Sequence, residues 1–166
     1  MNSEKELDDY YKFVQEYLWE INEIELLVLK GHNLIEHAIN RYIADLVMRL
    51  EEFYKLNLSF SQKLGIMRFM TVMHLKIFEM LTLFNKVRNE LSHNLHADKN
   101  SIDKFLLQWS YRDDERVKEH YQKDNVLALK YAIRNICVEL NFGRIGAKLS
   151  NHIHSQIRLD EMLKNK

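Results

Sequence analysis

The sequence contains no proline and only four glycines in 166 residues. An average chain of this length would carry about eight prolines and about twelve glycines. Both residues collect at turns, proline because it fixes φ and lacks an N–H, glycine because it tolerates positive φ. A sandwich or barrel of short strands needs more turns than this composition supplies. The composition therefore predicts an all-α domain built from a few long helices.

Other absences narrow the reading. The lone Cys137 excludes an intramolecular disulfide and a cysteine-based zinc cage. It lies in the apolar run Ile136-Cys137-Val138 and reads as a buried, inert thiol. Charge of one sign is also missing: 24 basic residues face 24 acidic ones. That balance argues against a broad basic face for duplex DNA, while leaving room for a small, locally positive pocket. No apolar run approaches the roughly 18 residues of a membrane helix, and the acidic start (Glu4, Glu6, Asp8, Asp9) is unlike a signal peptide. No membrane association and a cytoplasmic setting are expected. The length suits one domain over 1–166, with a core from about 4 to 146 and a polar helical tail over 147–166.

What the chain does have is helical periodicity. Ser3-Glu4-Lys5-Glu6 reads as a capping box that opens a helix. Apolar residues then recur at helical spacing through Tyr10, Phe13, Val14, Tyr17, Leu18, Ile21, Ile24 and Leu27, and again from Leu34 to Leu50. Gly31 between them is either a break or a glycine that admits a neighbouring backbone. One long irregular helix, or two helices, is expected to end near Lys55. A loop follows at Asn57–Gln62, with Ser59 and Gln62 as a second capping box. A short helix to about Met70 and a longer one over Val72–Leu95 come next. Asn100 and Ser101 are expected to cap a helix over Ile102–Tyr111. Arg112–Asp124 is charge-rich and expected to be exposed, and a final strong helix spans Asn125–Phe142, with Gly143 and Gly146 stopping or kinking it. The methionines between Met67 and Met80 read as core gap-fillers.

The stretch Leu83-Phe84-Asn85-Lys86-Val87-Arg88-Asn89-Glu90-Leu91-Ser92-His93-Asn94-Leu95 carries the most chemistry. Leu81, Phe84, Val87 and Leu91 form an apolar stripe toward the core. A second stripe holds Asn85, Asn89, Ser92, His93 and His96. Asparagine is a poor helix former because its amide competes for backbone partners, so two of them here point to a use beyond helix stability. Asn89 and His93 are one turn apart and can meet directly. Arg88 and His93 are five residues apart, which at about 100° per residue sets their directions roughly 140° apart. A long arginine arm, an early helix end or a second copy of the chain would be needed to unite them. An imidazole that exchanges protons near neutrality and a guanidinium that holds two phosphate oxygens together suit phosphodiester chemistry on RNA. His93 would act on the 2′-hydroxyl or the leaving oxygen, and Arg88 would stabilise charge on the phosphate, with no metal or cofactor required.

Arg88-Asn89-x-x-x-His93, late in a long helix, resembles the RxxxxH motif of the HEPN superfamily, the higher eukaryote and prokaryote nucleotide-binding domains. Gly31-His32-Asn33-Leu34-Ile35-Glu36-His37 resembles the family's earlier helix, where a polar residue, often Glu, faces the site. The resemblance covers helix order over about 20–140 and is specific over about 85–95. It implies an up-and-down bundle of four or five helices and a homodimer whose two motifs line one composite cleft. It further implies a metal-independent endoribonuclease, often a toxin paired with an antitoxin protein, although the family also holds non-cleaving binding modules. Arg88 and His93 are then catalytic, with Asn89, Asn85 and Glu36 in support. Leu95 stands where some antitoxin-paired members have Tyr, which departs from that subgroup.

Other groupings rank below this one. His32, Glu36 and His37 offer a helix face that reads as a polar core or a dimer contact rather than a metal site. The pairs His93/His96 and His152/His154 do not suffice for a site. Arg134-Asn135 imitates the motif's start but meets Glu139 in place of histidine, and reads as a solvated or interfacial pair. Trp109 and Tyr111, near Arg112, read as a cover for the bundle's end rather than a base-stacking platform.

Overall fold

The computed structural model describes residues 2–47, 50–70, 75–94, 98–110 and 115–164. Among the described residues there are eight α-helices and no strand. They are α1 (Asn2–Trp19), α2 (Ile24–Leu46), α3 (Leu50–Lys55), α4 (Phe60–Met70), α5 (Leu75–Asn94), α6 (Lys99–Ser110), α7 (Glu115–His120) and α8 (Asn125–Lys164). The chain is an all-α helical bundle. Its centre is the pairing of α2 with α8. Helix α1 leans on α8 and α2, α4 and α5 cover another side of α2, and α6 bridges α5 to α8.

The first break falls at 20–23, not at Gly31. Tyr10, Val14 and Leu18 bury one stripe of α1, and the helix then stops where Lys130 Nζ of α8 donates to the Trp19 carbonyl at 2.7 Å. An ammonium on a helix's last carbonyls satisfies an acceptor that the next turn would otherwise occupy. Gly31 lies inside α2 at the crossing with α8. A Cβ built there would sit 2.5 Å from Ile133 Cδ1 and 3.1 Å from its Cγ1, so glycine lets the two helices close. Helix α2 ends at Val47, whose backbone is extended and whose N–H returns to Ile43. Asn57 then turns the chain with φ 46°, a left-handed conformation that asparagine tolerates.

The second capping box is present in both directions. Ser59 N–H donates to Gln62 Oε1 at 2.9 Å, and Gln62 N–H donates to Ser59 Oγ at 3.4 Å. Ser3 lies in α1, and its side chain is outside the described set. Helix α6 starts three residues earlier than expected, because Asp98 rather than Asn100 or Ser101 is its cap. Asp98 Oδ1 accepts from the Asn100 N–H at 3.1 Å. The charge-rich segment is not simply exposed: α7 forms within it and buries Val117 completely. Arg112 and its neighbours over 111–114 lie outside the described residues.

Neither Gly143 nor Gly146 stops α8, which continues for 40 residues to Lys164. Arg144, between them, is buried and donates to Asp45 at 2.7 Å, to Asn141 at 2.9 Å and to Glu6, tying this part of α8 to α1 and α2. Met67 and Met80 fill the core as expected, whereas Met70 is exposed. Cys137 is fully buried against Tyr10, and burial pushes its thiol up to about 12. Among the described residues no helix is long and apolar enough to cross a membrane.

Candidate functional site

The polar strip of α5 meets α2 and α4 at a half-buried cluster. His32, on α2, is 4% exposed, and its Nε2 lies 3.1 Å from Asn85 Oδ1. Its ring packs on Phe60, the first residue of α4, with centroids 4.5 Å apart. Asn85 Nδ2 donates in turn to Ser61 Oγ at 3.4 Å. One helical turn along α2, Glu36 receives Lys63 Nζ from α4 at 2.7 Å. The capping box at Ser59 and Gln62 fixes the start of α4, and so delivers Phe60, Ser61 and Lys63 to this cluster together.

The electrostatics follow from that packing. Burial lowers the pKa of His32 below the ordinary histidine value, and the Arg88 and Lys63 cations push the same way. The Asn85 hydrogen bond and the Glu36 carboxylate oppose them without prevailing. His32 is therefore held neutral. Arg88 is half-buried at the rim of this cluster, and its Nη1 donates to Asn89 Oδ1 at 3.2 Å. That contact engages one of the five N–H donors of a guanidinium. Ser92 Oγ bonds back to the Asn89 carbonyl at 2.7 Å, so it faces its own helix.

Four of the five expected site residues thus surround one cluster: Asn85 and Glu36 at its centre, Arg88 and Asn89 at its rim. His93 is apart from it. It is exposed in the last turn of α5, and its side chain makes no hydrogen bond to another described residue. The helix holds Arg88 and His93 on opposite flanks of the polar strip, about 140° apart by the helical repeat, and no hydrogen bond joins them within one chain. His96 and Leu95 lie outside the described residues.

The sequence marks His32 as a polar core or dimer-contact residue, and within one chain it is buried in a polar cluster, but nothing in the local pattern signals Lys63 or Ser61. Both are short-range unremarkable residues, and their part depends on the turn into α4. His37 points elsewhere, lining an open groove of about 560 Å³ with Glu6, Tyr10 and Arg41. Arg134 is not solvated: it is 4% exposed and sits over the rings of Tyr11 at 4.9 Å and Tyr131 at 4.8 Å. Trp109 is buried in the core, and Tyr111 is outside the described residues. Among the described residues no group of three or more His, Cys, Asp or Glu side chains has the arrangement of a metal site. No family model, curated protein or solved structure matches the chain.

Proposed function

We propose that this protein is a HEPN-type, metal-independent endoribonuclease that works as a homodimer, with Arg88 of one copy and the partner's His93 completing each site. The observation that carries this reading is Arg88: a half-buried cation at the rim of a polar cluster, with most of its donors uncommitted among the described residues. A guanidinium in that setting is suited to hold phosphate oxygens and to stabilise the charge that builds on them. In the reaction, the imidazole accepts the proton of the RNA 2′-hydroxyl, and that oxygen attacks the adjacent phosphorus. The bond to the 5′-oxygen breaks, and this oxygen takes a proton from water. The products are a 2′,3′-cyclic phosphate and a 5′-hydroxyl. A second copy supplies what one helix does not, since the helical repeat separates Arg88 from His93. Leu26 and Leu29 favour such an arrangement, being 40% exposed each on α2, with Leu29 nearly in line with Glu36 seven residues on.

The purified protein is expected to cleave single-stranded RNA in the presence of EDTA. His93→Ala and Arg88→Ala should each lower the rate by at least about 100-fold. Loss of cleavage on chelation would overturn the metal-free chemistry. A second reading, a non-cleaving RNA- or nucleotide-binding module, is favoured by one observation: no described residue hydrogen-bonds and orients the His93 imidazole. RNA binding that depends on Arg88 but persists in His93→Ala, without cleavage by either protein, would select that reading. The cytoplasmic setting and an antitoxin partner belong to the same proposal, and a complex with a co-purifying protein that blocks cleavage would support the latter.

A further inference from the structure

We infer that His32 is a positioning residue that fixes the Asn85 amide with its Nδ2 donors turned to the ligand side, so that Asn85 and Arg88 together present donors to a phosphate oxygen of RNA. The inference rests on the proposed RNA-directed reading for its ligand, but its structural half stands on the cluster itself. An asparagine amide looks the same from both ends in shape, and only its partners decide which end faces which way. A neutral imidazole offers one N–H and one lone pair. With Asn85 Oδ1 at 3.1 Å from Nε2, the hydrogen resides on Nε2 and the carbonyl accepts it. The Asn85 Nδ2 is then left on the other side, with one hydrogen toward the exposed Ser61 hydroxyl at a long 3.4 Å and the second uncommitted among the described residues.

The charges around the pair select the same orientation. Arg88 from α5 and Lys63 from α4 face His32, with Glu36 on α2 as the one carboxylate, itself engaged by Lys63 at 2.7 Å. A second proton on the ring would meet two cations inside a buried site. The reverse orientation would turn the Asn85 carbonyl outward beside Arg88, where it would compete with an anion for that guanidinium. Asn85 and Arg88 are three apart on one helix and so lie side by side. Phe60 packs against the imidazole and buries it, which keeps the ring from rotating out of the bond. His32 does not itself reach the reacting atoms; it acts through Asn85, the residue of the strip to which it is hydrogen-bonded.

Two measurements on the full chain test this. Long-range proton–nitrogen NMR on the 15N-labelled protein at pH 7 should show His32 protonated at Nε2 and bare at Nδ1. The opposite tautomer would overturn the inference regardless of any activity. Fluorescence anisotropy with a labelled single-stranded RNA oligonucleotide should show Asn85→Leu binding roughly ten-fold more weakly, the size of one lost hydrogen bond to a charged group. His32→Leu should weaken binding similarly, and His32→Gln, whose amide can still donate to Asn85, should restore it. If Arg88→Ala abolishes binding while Asn85→Leu and His32→Leu leave it unchanged, the RNA reading survives and this inference fails. If the wild-type protein binds no RNA, the ligand half fails together with that reading, whatever the tautomer.

Discussion

A histidine buried beside two cations must resist protonation, and that makes His32 a source of pH-dependent stability. In the unfolded chain it titrates near the ordinary value of about 6.5. In the folded chain burial, Arg88 and Lys63 hold its pKa lower. Below about pH 6.5 the unfolded state therefore binds a proton that the folded state refuses, and stability falls as the pH drops toward the folded pKa. Above that window the term is flat. Urea unfolding of the wild type at pH 7.5 and pH 5.0 is expected to show lower stability at the acidic value, with a smaller difference in His32→Gln. An equal pH response in both proteins would mean that His32 is not the group responsible. At this scale the sequence made Asn85, Arg88 and His93 conspicuous, because amides and an imidazole on a helix face demand an explanation. His32 was legible only as a polar core or dimer-contact residue. Its significance depends on Asn85, 53 residues away, and no local pattern encodes that distance.

The elements show where local chemistry decides and where tertiary packing overrides it. The Ser59–Gln62 box was legible because both of its hydrogen bonds lie within four residues. The end of α1 was not, because its capping group, Lys130, comes from 111 residues away. Gly31 and Gly65 provide a controlled contrast, since both lie inside helices. Alanine is the better helix former by about 1 kcal/mol at either position. At Gly65 nothing lies within 4 Å of an added Cβ, so Gly65→Ala should stabilise by about 0.5–1 kcal/mol. At Gly31 the methyl would enter the space of the fully buried Ile133. Overpacking of this kind costs about 1–3 kcal/mol, which outweighs the helical gain and leaves a net loss of about 1 kcal/mol. Melting temperatures of opposite sign relative to wild type are the expected result, and a Gly31→Ala protein as stable as Gly65→Ala would show that α2 and α8 yield at their crossing. Gly143 and Gly146 follow from the same logic. A glycine only weakens a helix, and Arg144 anchors α8 between the two.

For the whole molecule the decisive geometry is that one helix carries Arg88 and His93 on different flanks, about 140° apart. A site within a single chain would need both groups from the same copy. A site shared across a two-fold axis would need Arg88 from one copy and the partner's His93. Mixing the two inactive variants separates these arrangements. When Arg88→Ala and His93→Ala proteins are unfolded together and refolded, half of the dimers pair one of each. In a shared arrangement each mixed dimer joins the intact arginine of one copy to the intact histidine of the other. One of its two sites is then complete, and the mixture should recover about a quarter of wild-type cleavage, as the two-fold symmetry dictates. In a single-chain arrangement no copy in the mixture holds both groups, and activity stays at the level of the separate variants. Recovery is also expected to fall on dilution below the dimer's dissociation range, because the completed site exists only while two copies are joined. Cleavage by the wild type that is independent of concentration, together with no recovery in the mixture, would place both groups in one chain and require α5 to end or bend before His93.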